Sequence, residues 1–216
     1  MHILITSGGT SEAIDSVRSI TNHSTGSLAK GHHVTLITTP TALKPAPHPD
    51  LRISLIRNVE ELIAQMKQEV PQHQVLIHAM AVSDYTPVYM TGLDEVAKAR
   101  DLTTFLHQEN QETKISSKDD YQVLFLKKTP KIISLVKEWN PAIQLIGFKL
   151  LVAVSAEELI QVARESLVKN HASMIVANDL TQIQNGQHQA YLVTNDQVLQ
   201  ASTKSEIAEM VLSSIE

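Results

Sequence analysis

Residues 6–26 read TSGGTSEAIDSVRSITNHSTG and gather the groups from which an anion site can be built. Gly8 and Gly9 let the backbone turn sharply and approach a ligand closely. Thr10, Ser24 and Thr25 offer hydroxyls, and Gly26 opens a second turn. Backbone N–H groups in such turns, ahead of a helix, bind phosphate. Neither G-x-G-x-x-G nor G-x-x-x-x-G-K-[ST] is present, so the usual dinucleotide and P-loop fingerprints do not apply. The same residues would also serve a purely structural turn and loop. Arg18 and Asn22 lie four apart, which on a helix sets them on one face. Arginine grips carboxylate or phosphate bidentately, and asparagine can donate to an oxyanion. Both would equally suit a surface.

A second group follows a short apolar run: His78, Ala79, Met80, Ala81 and, after Val82-Ser83, Asp84. Ala79 and Ala81 are small where a ligand would approach, while Asp84 would also serve as a turn residue. Lys114, Lys118, Lys127, Lys128 and Lys131 form a basic cluster in an acidic chain, suited to a phosphate-rich ligand or to a solvated surface. Pro130, after Thr129, can open a helix at its first position and point further N–H donors at that ligand. Asn178-Asp179 closes another apolar run, MIVA, as a site or as a cap. Ten histidines show no H-E-x-x-H or comparable ligand spacing, so no dedicated transition-metal site is expected.

These groups need elements to position them. Residues 2–6, 34–38, 75–80, 144–148 and 174–177 read as short buried strands. Between them lie amphipathic helices, with apolar faces at Val59, Leu62, Ile63, Met66 and Val70, and at Ile132, Ile133, Leu135, Val136 and Trp139. Two more run through Leu159, Ile160, Val162, Ala163 and Leu167, and through Ile207, Ala208, Val211, Leu212 and Ile215. Ser155 with Glu158 has capping-box spacing, and Asn140-Pro141 is a stop. Alternating strands and helices predict an α/β fold with a mostly parallel sheet. Ligands then bind beyond the carboxyl ends of the strands, where the polar groups above lie.

Pro40–Pro49 holds four of the eight prolines and reads as a stiff exposed loop. Residues 85–130 depart from the alternation as an excursion, with Lys114–Ser116 expected to pair with Gln122–Leu126. Residues 189–194 and 198–202 flank Asn195-Asp196 as a further hairpin. Lys30-Gly31 resembles a helix C-cap. Yet only four residues separate Gly26 from Gly31, against the about ten or more a crossover helix needs.

The chain has 216 residues, which suits a single domain over 1–216. It has no cysteine, so a disulfide scaffold, a thiolate nucleophile and a thiolate metal site are excluded. A net charge of −5 argues against nucleic-acid binding. With no signal-peptide pattern and no long apolar run, the expectation is a soluble cytoplasmic protein with no membrane partner.

Together, ITSGGTSEAIDSVRSITNHSTG, MAVSDY, KISS, TPKII, GF and VANDL resemble the phosphopantothenate–cysteine ligase family, above all its stand-alone bacterial form. The resemblance spans almost the whole chain in order. It implies a Rossmann-like three-layer α/β fold with a protruding β flap, and a homodimer formed through that flap. It implies ligation of 4′-phosphopantothenate to L-cysteine in coenzyme A synthesis through an acyl-nucleotidylate, with CTP and Mg²⁺ in bacteria and ATP as the alternative. By resemblance, Asn22 holds the pantothenate and supports turnover of the acyl-nucleotide, and Arg18 reaches the substrate phosphate across the dimer. Gly8, Gly9, Ser24 and Gly26 serve the nucleotide phosphates. His78, Ala79, Met80, Ala81 and Asp84 form the strand end that meets nucleotide and pantothenate. Lys114 matches the first lysine of a K-x-K-K motif that serves the nucleotide step. Pro130, Lys131, Ile132, Ile133, Phe148, Lys169 and Asn178 match further nucleotide contacts. The chain departs from the family at Ile115-Ser116-Ser117 and at Lys149-Leu150-Leu151-Val152, where A-A-E-T is common. It also lacks a counterpart for the long helix that follows S-T-G. The competing reading is a non-catalytic flavin- or nucleotide-binding Rossmann-like module.

Overall fold

The computed structural model describes residues 1–21, 32–184 and 187–215. The strands are β1 (His2–Thr6), β2 (Ser11–Ala13), β3 (Ser19–Thr21), β4 (His33–Thr38), β5 (Leu51–Leu55), β6 (Val75–His78), β7 (Tyr85–Gly92) and β8 (Gln122–Lys128). They continue with β9 (Gln144–Leu151), β10 (Met174–Asp179), β11 (Ile183–Gln184), β12 (Gln187–His188), β13 (Ala190–Val193) and β14 (Val198–Ala201). The helices are α1 (Val59–Glu69), α2 (Leu93–Lys98), α3 (Ile132–Trp139), α4 (Ala156–Lys169) and α5 (Lys204–Ser213).

The main sheet has the order β14-β13-β10-β9-β6-β1-β4-β5. Every pair from β10 to β5 is parallel, and the β13–β14 hairpin joins β10 antiparallel. Numbered by first appearance, the six parallel strands run 3-2-1-4-5-6, the doubly wound order, whose switch point lies between β1 and β6.

Side chains alternate across the sheet. Leu4, Ile37, Leu76, Leu145 and Ile175 face α1, α3 and α4. Ile3, Ile5, Leu36, Ile77, Ile146 and Val176 share the other face with Ile207, Val211 and Ile215 of the α5 segment. The result is the expected three-layer Rossmann-like α/β fold.

The helices form where their apolar spacing and caps agree. In α1, Val59, Leu62 and Met66 are buried, and the Asn58 side chain accepts from the Glu61 N–H at 2.9 Å. The buried Glu12 accepts from the Val59 N–H at 2.9 Å and ties the helix start to β2. Pro71 ends α1 by turning the chain into a 3-10 turn. In α4 the expected cap is present, with Ser155 Oγ accepting from the Glu158 N–H at 3.1 Å.

The structure revises several expectations. Leu51–Leu55 is a strand at the sheet edge, reached from β4 through the exposed proline-rich loop rather than a helix. Lys114–Ser116 is not a strand; β8 pairs antiparallel with β7 in a separate two-stranded sheet. Pro87 hides β7 from the sequence, because it removes a ladder donor and sits at a register shift between Pro87 and Tyr89. Ser11–Thr21 is a β-hairpin, so the helical spacing of Arg18 and Asn22 does not apply. The Lys30-Gly31 cap lies outside the described residues.

Asp179, at the end of β10, organises two neighbouring loops. Its carboxylate accepts from the N–H groups of Ala153 (3.0 Å), Val154 (3.1 Å) and Thr181 (2.9 Å) and from the Thr181 hydroxyl (2.9 Å). These donors, Thr181 first, hold its pKa below the usual carboxylate range. A depressed folded pKa gives stability that is present above the unfolded value, about 3.9, and is lost as pH falls through the folded one. Asp179→Asn should therefore lower the urea midpoint at pH 7 and shrink the loss of stability below about pH 4. Urea titrations across that range would read both effects.

Candidate functional site

At the switch point the pairing does not stop where β1 and β6 end. The Thr6 carbonyl accepts from the Ala79 N–H at 3.0 Å, and the Gly8 carbonyl from the Ala81 N–H at 2.8 Å. The Ala81 carbonyl accepts from the Thr10 N–H at 3.0 Å, which makes a parallel bridge between Gly9 and Ala81. The buried Thr10 hydroxyl then accepts from the Ser83 N–H at 2.9 Å. The two chains leaving the central strands thus remain joined.

Gly8 has φ +89°, and a Cβ there would lie 2.9 Å from both the Ala42 Cβ and the Thr39 hydroxyl oxygen. Glycine is therefore required both by conformation and by space. Among the described residues, the N–H groups of Gly8 and Gly9 have no backbone acceptor, as a turn that receives an anion requires. Beneath it, His78 Nδ1 lies 2.6 Å from the Thr6 hydroxyl. Burial pushes the His78 imidazole down to about 4, so the ring is neutral at physiological pH.

The loop after β6 is fastened to the end of β8. The Thr129 hydroxyl donates to the Ser83 carbonyl at 2.5 Å, and the Thr129 N–H to the Asp84 carbonyl at 2.9 Å. Asp84 forms an exposed ion pair with Lys131, the N-cap of α3. Such a pair contributes at most about 1 kcal/mol, so both groups can turn to a ligand at little cost. A hairpin, β2–β3, rises from the other side. Arg18 there donates to Asp15 Oδ2 through Nε (3.0 Å) and Nη2 (2.6 Å), and to the Ile115 carbonyl at 3.0 Å.

The sequence-derived residues divide accordingly. Gly8, Gly9, His78, Ala79, Met80, Ala81, Asp84 and Lys131 gather at the carboxyl ends of β1 and β6. Phe148 lies one residue beyond the Gly147–His78 pairing and packs on the α5 face. Asn178 is buried, and its side chain donates to the Gln189 carbonyl at 3.0 Å. Pro130 precedes the N-cap of α3 instead of opening the helix. Ile132 is a core residue, and Ile133 packs over Gly147, so their side chains are committed to packing. Lys169 is in the last turn of α4, which returns to the start of β10, and so lies toward the amino ends of the strands, opposite the candidate site. Lys114 is exposed beside the buried Ile115. Asn22, Ser24 and Gly26 lie outside the described residues. Sequence reasoning missed Asp15 and Glu12, whereas Asp179 takes the capping role offered for it. The i, i+3 charge pair of Asp15 with Arg18 was the one available signal for the first.

Among the described residues, no three histidine, aspartate or glutamate side chains converge as a metal set. The described residues offer no protein cage for Mg²⁺, an ion that ordinarily binds through substrate phosphates with one or two carboxylates. No helix among the described residues is long and apolar enough to cross a membrane.

The strand order defines a doubly wound α/β domain with its candidate site at the switch point. The family model described as DNA/pantothenate metabolism flavoprotein C-terminal domain matches residues 1–103 and 90–216, and the chain belongs to this family. It is 31% identical over 227 residues to the coenzyme A biosynthesis bifunctional protein CoaBC of Thermococcus kodakarensis, covering 99% of the chain but 50% of that relative. The chain thus spans about half the length of the curated relative. A crystal structure of the DNA/pantothenate metabolism flavoprotein from Streptococcus pneumoniae is 60% identical, with TM-score 0.94, covering 100% of this chain and 98% of that one. A Cab2 mutant in complex with phosphopantothenate-cysteine is 17% identical with TM-score 0.72, covering 99% and 84%, and shares the fold.

Gly8→Ala should destabilise the protein by about 2 kcal/mol, from the left-handed backbone and the contact with Ala42 and Thr39. Urea denaturation measures this; a change within about 0.5 kcal/mol, the range of an ordinary surface substitution, would show the turn to be tolerant.

Proposed function

We propose that the chain joins 4′-phosphopantothenate to L-cysteine in coenzyme A biosynthesis, with CTP as the preferred triphosphate and ATP as the alternative. Family membership supports this, as does the biosynthetic role named for the half-matched relative. The observation that carries it is the Gly8–Gly9 turn beside Ala79–Ala81 at the switch point, whose two glycine N–H groups have no backbone acceptor among the described residues.

The chemistry suits a chain with no thiol of its own. A carboxylate is a poor electrophile, because its oxygen is a poor leaving group. Attack of the pantothenate carboxylate on the α-phosphorus of the triphosphate forms the acyl–O–P bond and releases pyrophosphate. The cysteine amine then attacks the acyl carbon, loses a proton, and expels the nucleoside monophosphate. Negative charge builds on the phosphate oxygens in the first step, where Lys114 and the Gly8–Gly9 N–H groups act. Asn22 acts in the second by holding the pantothenate part. Asp84 and Lys131 exchange their mutual pairing for substrate and nucleotide. His78, being neutral, adds no charge of its own. Mg²⁺, when bound, screens the phosphate charge. The reading includes a soluble, cytoplasmic homodimer formed through the β7–β8 excursion.

The word flavoprotein in the family description favours one other reading, a flavin-binding module without turnover. A yellow purified protein that releases no pyrophosphate would support it.

The deciding experiment measures pyrophosphate with CTP or ATP, with and without phosphopantothenate and cysteine. Release that needs phosphopantothenate but not cysteine is expected for the first step. Lys114→Ala should slow it by about 10²-fold, the size seen for one lost oxyanion donor. An unchanged rate would remove Lys114 from the step. Asn22→Ala should keep pyrophosphate release while amide formation stalls; normal product formation would remove Asn22 from its role.

A further inference from the structure

One carboxylate joins the β2–β3 hairpin to the segment that carries Lys114. The Asp15 side chain is 1% exposed, although it lies at a hairpin turn. Its Oδ1 accepts from the N–H groups of Val17 and Arg18, both at 2.8 Å. Its Oδ2 accepts from Arg18 Nη2 (2.6 Å), Arg18 Nε (3.0 Å) and the Ile115 N–H (3.2 Å). Arg18 Nη2 also donates to the Ile115 carbonyl at 3.0 Å, and the Ser16 N–H to the Thr113 carbonyl at 3.0 Å.

Both backbone polar groups of Ile115 are therefore held, the N–H by Asp15 and the carbonyl by Arg18. Lys114 sits between two anchored residues, Thr113 and Ile115, and the Ile115 side chain is itself buried. Asp15 and Ile115 are 100 residues apart, so local sequence does not explain the contact. Arginine has five N–H donors in a fixed fork. Nε and Nη2 are occupied, which among the described residues leaves the Nη1 edge for an anion.

We propose that Asp15 is a positioning residue for the nucleotidyl-transfer step: it locks the Thr113–Ile115 segment onto the hairpin, fixes where Lys114 emerges, and turns one chosen edge of Arg18 outward. This rests on the ligase reading above. The Arg18 guanidinium holds the Asp15 carboxyl well below the usual carboxylate range. The lock is therefore charged at neutral pH. An uncharged carboxamide of the same shape keeps the turn at Val17 but turns donor against donor at Arg18 or Ile115.

The test is Asp15→Asn, with pyrophosphate release followed in wild type and variant. The kcat should fall by about 10- to 100-fold, as for a misplaced catalytic group. The KM for the triphosphate should change by less than about threefold. The thermal midpoint should fall, because the paired carboxylate stabilises the fold, so kcat is compared per folded protein well below that midpoint. In Asp15→Asn combined with Lys114→Ala, the loss of kcat should fall well short of the product of the two single losses, because Asp15 acts on this step chiefly through Lys114. Wild-type kcat in Asp15→Asn overturns the proposal, as do additive losses in the double variant or a fall that merely tracks the folded fraction. If Asp15→Asn yields too little folded protein, Asp15→Glu keeps the charge and adds one methylene. Its kcat should fall several-fold at unchanged KM, and full activity overturns the proposal. Failure of the wild type to release pyrophosphate would overturn the ligase reading instead, and so is distinguishable.

Discussion

The molecule depends on a short stretch of parallel pairing that outlasts its strands. Thr6, Gly8 and Thr10 on one chain exchange hydrogen bonds with Ala79, Ala81 and Ser83 on the other, beyond the ends of β1 and β6. Many doubly wound sheets open a crevice at this point because the chains diverge. Here they stay together, and paired backbone continues past the strand ends. That arrangement requires residues without bulk, and Gly8, Gly9, Ala79 and Ala81 supply them.

From this seam the remaining parts take their places. The chain runs from Thr10 straight into β2, whose Glu12 caps α1, and then to the turn that holds Asp15 and Arg18. On the other side it runs through Ser83 and Asp84, which Thr129 and Lys131 draw toward α3. The site is thus a meeting of three long-range connections at one end of the sheet. Strong charges within it are balanced by neighbours: Asp15 by Arg18, and Asp84 by Lys131. A site so arranged keeps its shape before any ligand arrives, and electrostatic stabilisation depends on that preorganisation.

Much of the fold was legible in the chain. The strands at residues 2–6 and 34–38 and the helices at Val59–Glu69 and Ala156–Lys169 announce themselves by apolar period and caps. The Gly8–Gly9 turn and the polar ends of β6 and β10 followed from the parallel sheet. What the sequence concealed has physical causes. β7 carries Pro87, which reads as a breaker, and its partner β8 lies across an excursion of irregular chain. β5 is an edge strand with exposed Ile53 and Leu55, so it lacks the buried run that marks its neighbours. The place of Lys169 was not legible, because a family pattern does not say to which end of the sheet a helix returns. Asp15 was passed over because its value lies in contacts with Thr113–Ile115, which no local pattern encodes.

The central place of β1 has a temporal consequence. The first strand of the chain is flanked by β4 and β6, and its Thr6 hydroxyl meets His78 across 72 residues. A nascent chain therefore cannot complete the middle of its sheet until β6 has emerged, while β9, β10 and the β13–β14 hairpin add outward in the order of synthesis. Such non-local closure slows folding and leaves early apolar strands waiting for partners.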